Sequence, residues 1–254
     1  MALKMAGNRL DQALVERGLC ESREKARRAI MAGQVVVNQQ PARKASDRVL
    51  PGDNLALTSV EKYVSRGGLK LEHALQHFQL DVTGQTAVDL GASTGGFTDC
   101  LLQHGAAHVT AVDTGFGQIA MKLRNDARVR LVERTNARLL EPGALAAEPG
   151  SPELTLLVMD VSFISATLVL PPVLAAAPGL REAVILVKPQ FEAGRGNVGK
   201  GGIVRDPEAH QLAIDRVADC VRSLGWEVVE TIPSPITGME GNREFLLYAR
   251  RAKF

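Results

Sequence analysis

The sequence predicts an α/β protein with a doubly wound, mostly parallel sheet, preceded by a small α+β domain. Two observations support this prediction. From residue 67 onward, apolar runs of strand length alternate with stretches of helical periodicity, which is the pattern of strand-helix-strand units. Before residue 58, two short helical stretches are followed by short β runs. A length of 254 residues accommodates one large domain and one small domain.

We expect residues 1–58 to form the small domain, 59–66 a linker and 67–254 the large domain. In the small domain, apolar residues at helical spacing lie between good N-cap and C-terminal residues. The expected elements are a helix from Leu10 that ends at Gly18, a helix from Ser22 to Ala32, a strand from Val35 to Val37, and an apolar β stretch from Val49 to Leu57 that is interrupted by Pro51-Gly52.

The large domain is expected to begin with a helix whose apolar stripe includes Leu71 and Leu75. The strands expected after it cover residues 87–90, 109–113, 130–133, 154–160, 183–188, 227–231 and 245–249. The helices expected between most of them cover residues 96–104, 118–124, 164–177 and 207–224. In such a sheet the ligand lies at the carboxyl ends of the strands.

Composition excludes several classes of protein. Cys20, Cys100 and Cys220 form no C-x-x-C pair, and the five histidines are scattered, so neither a disulfide framework nor a metal site is expected. No apolar run reaches the length of a membrane span, and the N-terminus lacks the apolar core of a signal peptide. We therefore expect a cytoplasmic protein that does not bind membranes.

Charge is unevenly distributed along the chain. Residues 1–60 hold 10 Lys and Arg against 6 Asp and Glu, a net +4, while the remainder holds 20 against 22, a net −2. A basic head on a near-neutral body suggests that the head binds a polyanion. An ordinary solvated surface is the alternative, and charge alone does not distinguish the two.

A glycine-rich loop directly follows the first predicted strand of the large domain. Such a loop, between a strand and a helix, lets the backbone and the helix amides approach a nucleotide-type cofactor. Asp113 ends the next strand, where a carboxylate can accept hydrogen bonds from a ribose. Ser93 occupies the position of the second glycine of G-x-G-x-x-G, the glycine that contacts a pyrophosphate. This favours a cofactor without a pyrophosphate, such as S-adenosylmethionine, and makes a dehydrogenase the weaker alternative.

Ionisable residues mark the ends of three other predicted strands. Asp160 and Lys188 each close an apolar run, and Glu244 opens the last strand. Charges at one sheet edge are costly unless they are paired or used, so these three are candidate functional residues. Lys70, in the first helix of the large domain, is by itself more typical of a solvated lysine.

Two families resemble this sequence. Residues 8–57, with Arg9-Leu10-Asp11 and Gly33 to Asn38, resemble the RNA-binding module of ribosomal protein S-four. Nearly the whole chain resembles the TlyA or haemolysin A proteins, which are rRNA cytidine 2′-O-methyltransferases with an FtsJ-like catalytic domain. The motifs that carry this second resemblance are Ser65 to Lys70, Gly91 to Thr98, Glu133 to Arg138, Asp160 to Ser165, Val187 to Glu192, and Gly241 to Glu244.

The resemblance implies a fold, a reaction and a set of site residues. It implies a Rossmann-like class I methyltransferase sheet and S-adenosylmethionine-dependent 2′-O-methylation of a cytidine ribose in rRNA. The implied catalytic residues are Lys70, Asp160, Lys188 and Glu244. The implied cofactor-binding residues are Gly91, Ala92, Ser93, Thr94, Gly95, Gly96, Phe97, Asp113, Asn136 and Asp160. The expected RNA-binding residues are Arg9, Arg23, Arg27, Arg28, Lys44 and Arg66.

The chemistry of a ribose 2′-hydroxyl fits these residues. The hydroxyl is a poor nucleophile, and a lysine serves as its base only if burial or a second cation lowers its pKa from about 10.4. We expect Lys188 to activate the hydroxyl, with Lys70 as the second cation and the two carboxylates orienting the ammonium groups. For Asn136, a loop-capping role is nearly as good an interpretation as contact with the adenine.

Other features leave the assignment open in part. Tyr63, in the linker, occupies the position of a tryptophan in other family members, which is a departure from the family pattern. The chain ends at Phe254, without the helical extension of members that modify both ribosomal subunits, which favours large-subunit rRNA. A non-catalytic RNA-binding or membrane-active haemolysin-like protein is the alternative from another class. The modified nucleotide, the choice between free rRNA and an assembled subunit, and the oligomeric state stay open.

Overall fold

In a computed structural model, the chain divides into two compact units, residues 1–61 and 62–254. The structure describes residues 7–31, 33–57, 62–146, 152–238 and 241–251. The expected helix end at Ala32 and the expected linker residues 59–61 lie outside the described residues. Residues 62–66, also assigned to the linker from the sequence, belong to the second unit, because the Tyr63 ring is buried there.

The first unit has two helices and two small antiparallel sheets. Its elements are β1 (Asn8–Arg9), α1 (Leu10–Glu16), α2 (Arg23–Met31), β2 (Val35–Val37), β3 (Gln40–Pro41), β4 (Arg48–Val49) and β5 (Leu55–Leu57). Strand β2 pairs with β3 and β5, and β1 pairs with β4. Leu10, Leu14, Ala26, Ile30 and Val35 form the centre of its core.

The apolar stretch 49–57 of the first unit is divided into two strands at the expected interruption, Pro51-Gly52. A turn separates β4 from β5, because Pro51 cannot donate a backbone hydrogen bond to a ladder. The Asp53 carboxylate accepts a hydrogen bond from Leu50 N at 2.7 Å and stabilises this turn. Each half of the stretch therefore pairs with a different strand.

The second unit is a seven-stranded sheet covered by helices. Its elements are α3 (Gly67–His77), β6 (Thr86–Leu90), α4 (Gly96–Gln103), β7 (His108–Val112), α5 (Met121–Arg124), β8 (Val129–Val132), β9 (Leu156–Met159), α6 (Ala166–Ala176), β10 (Glu182–Val187), α7 (Pro189–Glu192), α8 (Pro207–Ser223), β11 (Trp226–Pro233) and β12 (Phe245–Arg251). The strand order is β11-β12-β10-β9-β6-β7-β8. Strands β6 to β10 run parallel, and β12 is antiparallel to both of its neighbours.

The predicted doubly wound α/β sheet is thereby confirmed, with small differences at the ends of elements. Asp113, Asp160 and Lys188 follow their strands instead of closing them. The helix predicted over 118–124 begins only at Met121. Its expected first turn is held by the glycine-rich loop instead, through a hydrogen bond from Ala120 N to Thr94 O at 3.1 Å.

Both faces of the sheet are buried, which explains why the central strands are apolar at nearly every position. In β10, Ile185 and Val187 face the core cluster that contains α6 and α8, while Val184 and Leu186 face the cluster that contains α3 and α4. The edge formed by the carboxyl ends of the parallel strands therefore lies between two layers of helices. Among the residues that the structure describes, no helix is long and apolar enough to cross a membrane.

Candidate active site

The glycine-rich loop leaves the sheet at Gly91 and passes directly over the end of β9. Gly91 has a φ of +82°, and a Cβ at this position would lie 2.6 Å from the carbonyl oxygen of Asp160. Only glycine allows both this backbone conformation and this close approach. The loop and the residue after β9 are thus in direct backbone contact.

Asp113 organises the other side of this loop. Its carboxylate accepts hydrogen bonds from Ser93 N at 2.8 Å and from Gly115 N at 2.6 Å. Gly91 N in turn donates to the carbonyl oxygen of Val112, at the end of β7. The residues expected to bind a nucleoside therefore lie together at the carboxyl ends of β6 and β7.

Asp89 is a functional candidate that is absent from the site residues expected from the sequence. It lies inside β6, is fully buried, and accepts hydrogen bonds from Thr98 N at 2.9 Å and Thr98 Oγ1 at 2.6 Å. Burial, and then the nearby Asp160 and Asp113 carboxylates, raise the pKa of Asp89 to about 7, against the opposing effect of Thr98. A carboxylate within an otherwise apolar strand, just before the glycine loop, is the signal that points to it.

The raised pKa of Asp89 predicts a pH dependence of stability. Because the pKa in the folded state exceeds that in the unfolded state, the stabilisation is complete below about pH 4 and is lost as the pH rises through about 7. Asp89→Asn keeps the acceptor for Thr98 and removes the titration. Urea unfolding can be followed by the fluorescence of the single tryptophan, Trp226. The free energy of unfolding of the variant, relative to that of the wild type, should increase from pH 5 to pH 8.

The exposed Asp81 offers a control for this measurement, because hydrogen bonds from Thr83 keep its pKa below the usual range. Asp81→Asn should change little with pH over the same interval. An equal difference between Asp89→Asn and the wild type at both pH values would contradict the prediction.

The four ionisable residues singled out from the sequence form two ion pairs at the ligand edge of the sheet. Lys188 Nζ lies 2.5 Å from Asp160 Oδ1, and Lys70 Nζ lies 2.5 Å from Glu244 Oε2. Residues Val187 and Phe245 are paired in register, so Lys188 and Glu244 are neighbours at this edge. Each lysine is therefore positioned by a carboxylate.

Lys70 is not the solvated lysine that its place in the helix suggested. Its side chain is 10% exposed and that of Glu244 is 2% exposed, so the pair is buried. Burial of a lone charge is strongly unfavourable, and the pairing offsets this cost. Gly68 supports this helix turn, because the Tyr63 ring occupies the space that a Cβ would need.

Lys188 has a second polar partner and aromatic neighbours. Its Nζ donates to Ser162 Oγ at 2.7 Å. The next residue, Phe163, has a φ of +65° and is 93% exposed, with its ring 5.6 Å from that of Phe191. A positive φ is unfavourable for a bulky side chain and is commonly found at functional sites. The chain therefore presents an aromatic ring to solvent at the residue that follows Ser162, the hydrogen-bond partner of Lys188.

Two buried polar residues brace the loops around the ion pairs. Asn242 donates to Gly202 O at 2.9 Å and accepts from Val204 N at 2.9 Å. Glu192 accepts hydrogen bonds from Ser165 Oγ and Ala166 N, both at 2.6 Å, and burial raises its pKa. Both residues occur inside sequence motifs noted above, but their bracing role depends on distant partners and was not predicted.

Four of the predicted site residues do not contact one another within their units: Asn136 and Arg66 in the second unit, and Lys44 and Arg28 in the first. Asn136 caps a short 3₁₀ turn through a hydrogen bond from Arg138 N, which is the capping role considered from the sequence. Arg66 lies in the second unit and donates to Thr237 O. In the first unit Lys44 is exposed, and Arg28 pairs with Glu24.

Three basic residues of the first unit converge on one carboxylate. Arg9, Arg23 and Arg27 each donate a hydrogen bond of 3.0 Å to Asp11, which is fully buried. Hydrogen bonding to Arg9 is the largest of the effects that hold the pKa of Asp11 well below its usual range, and Arg23 and Arg27 add to it against the effect of burial. Asp11 therefore carries its charge at any pH near neutrality.

The sheet order and the glycine loop define a Rossmann-like protein, and the paired lysines and carboxylates mark a candidate active site at the carboxyl ends of its strands. A family model described as FtsJ-like methyltransferase matches residues 63–251, and a model of the S4 domain matches residues 8–55. The chain belongs to the FtsJ-like methyltransferase family and carries an S4 domain, which confirms both resemblances.

Individual relatives agree with this assignment. The 16S/23S rRNA (cytidine-2′-O)-methyltransferase TlyA of Mycobacterium tuberculosis is 46% identical over 95% of this chain and 89% of its own length. The 23S rRNA (cytidine-2′-O)-methyltransferase TlyA of Campylobacter jejuni is 33% identical over 79% of this chain and 76% of its own. A solved hemolysin-type structure from Streptococcus thermophilus is 42% identical, with a TM-score of 0.71 over 98% of this chain and 90% of that one.

Proposed function

We propose that this protein transfers a methyl group from S-adenosylmethionine to the 2′-hydroxyl of a cytidine in rRNA, with large-subunit rRNA as the substrate. The observation that carries the proposal is the pair of lysine-carboxylate contacts at the cofactor edge of the sheet. A dehydrogenase has no evident use for two such lysines. By their names, the Campylobacter jejuni TlyA acts on 23S rRNA and the Mycobacterium tuberculosis TlyA on both 16S and 23S rRNA, so 23S rRNA is the substrate that the two names share.

The residues present fit S-adenosylmethionine. The loop around Gly91 offers a backbone cradle, and the Asp113 carboxylate lies at the end of the neighbouring strand, where it can bind a ribose. Gly95 adopts a left-handed conformation at the start of α4, so the loop turns directly into the helix. When bound, the cofactor supplies an electrophilic methyl group on a sulfonium centre.

Gly91→Ala is predicted to abolish cofactor binding while leaving most of the second unit folded. The added methyl group would displace either the loop or the backbone of Asp160. Isothermal titration calorimetry with S-adenosylmethionine measures the effect, and we expect affinity to fall at least about 100-fold, the equivalent of roughly 3 kcal/mol of strain and lost contacts.

Gly84→Ala is the matched control, because Gly84 also has a positive φ but has open space around it. This variant should suffer a similar cost in backbone strain and bind the cofactor normally. Equal loss of binding in both variants would show that close approach to Asp160 is unimportant.

Within the proposed reaction, Lys188 enters as the neutral amine and accepts the proton of the 2′-hydroxyl as the hydroxyl oxygen bonds to the methyl carbon, and Asp160 stabilises the ammonium that forms. Its Nζ is fixed by Asp160 on one side and by Ser162 on the other, so the side chain has one orientation. Lys70, held by Glu244, places a second positive charge at the same edge and stabilises the developing oxyanion. Much of the rate enhancement comes from this alignment of the reacting groups.

Phe163 is proposed to stack on the base of the target nucleotide. An exposed aromatic ring beside the Lys188 pair is suited to hold a base that has left its helix, because stacking is available to any base. The neighbouring Phe191 ring supports it from the protein side.

Phe163→Ala is expected to lower kcat/KM for rRNA by about 10-fold to 100-fold, since stacking on an aromatic side chain is worth about 1–3 kcal/mol per base. Affinity for S-adenosylmethionine should not change. Leu168→Ala, which truncates a half-exposed apolar residue on α6, is the control and should be nearly silent. Unchanged kcat/KM in Phe163→Ala would remove the residue from the substrate site.

Methyl transfer from tritiated S-adenosylmethionine to purified large and small ribosomal subunits tests the proposed function as a whole. After digestion to nucleosides, the label should appear in 2′-O-methylcytidine from the large subunit. Label in a nucleobase would contradict the reaction, and label only from the small subunit would contradict the substrate. Absence of transfer to either subunit or to free rRNA would favour a non-catalytic RNA-binding protein.

A further inference from the structure

A fully buried aspartate in a domain with a net positive charge calls for an explanation. Asp11 lies in the first turn of α1, and its two carboxylate oxygens accept four hydrogen bonds from the guanidinium groups of Arg9, Arg23 and Arg27. The three arginines come from two different elements, the end of β1 and α2. We call these four residues the arginine cluster.

We propose that Asp11 is a positioning residue that organises the arginine cluster into a binding site for adjacent phosphates of folded RNA. The choice of RNA as the ligand rests on the proposed function. The role falls to an aspartate, whose charge is opposite to that of the arginines and the same as that of RNA. Three positive charges and one negative charge leave the cluster with a net charge of two.

The hydrogen bonds to Asp11 occupy only some of the N–H donors of the three guanidinium groups. Arg9 donates to Asp11 from two nitrogens, and Arg23 and Arg27 donate from one each, while every guanidinium carries five N–H donors. The three side chains stay 37%, 50% and 53% exposed. Each therefore keeps donors that face solvent, in a planar arrangement suited to phosphate oxygens.

Two other arginines of this unit have a purely structural role, since they donate hydrogen bonds to backbone carbonyls. Arg17 donates to the backbone carbonyls of Leu50, Pro51 and Asp53, and Arg48 donates to a backbone carbonyl near the start of the chain. These side chains tie loops together. The arginine cluster instead gathers charge at one surface position, which binding to a polyanion requires.

The advantage of a buried carboxylate is preorganisation. A free arginine loses rotamer entropy when it binds a phosphate, whereas an arginine already held by Asp11 has lost that entropy during folding. Three like charges also repel one another, and Asp11 offsets this repulsion. The carboxylate should therefore strengthen the binding of an anion, although it is itself an anion.

The substitution Asp11→Asn tests this role, because two explanations predict opposite changes in the affinity for rRNA. Asp11→Asn raises the net charge of the protein by one. If only overall charge matters, binding to rRNA should tighten. If Asp11 organises the cluster, binding should weaken by about tenfold, the effect expected when one charge-assisted contact is lost.

Filter binding of the full-length protein to deproteinised 23S rRNA, over a series of salt concentrations, measures this effect. The control variant is Glu21→Gln, which makes the same change of charge in the exposed ion pair between Glu21 and Lys25. We expect Glu21→Gln to bind as well as the wild type or slightly better. The salt dependence should become shallower only in Asp11→Asn.

A second set of variants covers the case in which Asp11→Asn does not fold. Arg27→Gln should weaken binding by about tenfold, and Lys25→Gln, with the same loss of charge on the same helix, by about twofold or less. In the double variant Asp11→Asn/Arg27→Gln, the two effects should not add, because both disrupt the same cluster. Circular dichroism and the thermal midpoint report folding for each variant.

The outcomes separate this inference from the proposed function. Binding by Asp11→Asn that equals or exceeds that of the wild type, with Arg27→Gln no worse than Lys25→Gln, overturns the inference and leaves the methyltransferase proposal intact. Failure of the wild type to bind 23S rRNA overturns both. Affinity for S-adenosylmethionine should be the same in all variants, since the cofactor residues lie in the second unit.

Discussion

Lys188→Ala is expected to reduce the rate of methyl transfer by about 10³-fold, within the range that general base catalysis contributes. The variant loses the group that accepts the hydroxyl proton, and it also leaves Asp160 without its ion-pair partner. Single-turnover transfer of tritium from S-adenosylmethionine to the rRNA substrate measures the loss, and calorimetry confirms that the cofactor still binds.

Lys188→Arg distinguishes proton transfer from simple electrostatics. Arginine keeps the positive charge and the pairing with Asp160, but its pKa is too high for it to accept a proton. We expect this variant to be nearly as inactive as Lys188→Ala. Lys122→Ala, which removes another lysine paired with a buried aspartate, Asp99, is the control and should retain most of its activity. Near-normal transfer by Lys188→Arg would contradict the assignment of a base.

Glu244→Ala is expected to destabilise the second unit by about 3–5 kcal/mol, the usual result of leaving one member of a buried ion pair without its partner. Lys70 would then carry a charge at a site that is 10% exposed. Urea unfolding followed by Trp226 fluorescence reports this unit specifically, because Trp226 is the only tryptophan of the chain. Methyl transfer should be lost as well.

The double variant Lys70→Met/Glu244→Met sharpens this prediction. Removing both charges leaves no unpaired group, so the stability should recover to within about 1–2 kcal/mol of the wild type. Methyl transfer should not recover, since the proposed role of Lys70 requires its charge. Recovery of both properties together would show that the pair has only a structural role.

The sequence predicted the ligand edge of the sheet well, because its features are local. Gly91 and Asp113 follow apolar strands at spacings that the fold dictates, and strand pairing then brings them together. Asp160, Lys188 and Glu244 also lie at strand ends, whereas Lys70 lies in α3. The carboxylates were expected to orient the lysines, but which carboxylate pairs with which lysine was not predicted. That Lys70 contacts Glu244, 174 positions away, depends on how α3 packs, which periodicity does not reveal.

Bracing residues were missed for the same reason. The partners of Asp89 and Asn242 are 9 and about 40 positions away. The apolar strand around Asp89 marks this carboxylate in the sequence, but periodicity reveals neither its contact with Thr98 nor the contacts of Asn242. Arg23 and Arg27 were expected from the sequence to bind RNA. The carboxylate that gathers them, Asp11, is 12 and 16 positions away, and a lone Asp in the first turn of a helix is more commonly explained by the helix dipole.

The reversed direction of β12 determines where this protein can change its length. Strand β12 is antiparallel to its neighbours, so its first residue, and not its last, lies at the edge that carries the proposed active site. The connection between Pro233 and Phe245 therefore starts and ends at that edge. The connections near Gly84, Gly105 and Gly225 lie at the opposite edge of the sheet. New sequence, whether acquired in evolution or inserted as a tag, should be accommodated at those opposite turns, whereas an insertion between β11 and β12 would lie beside the proposed active site.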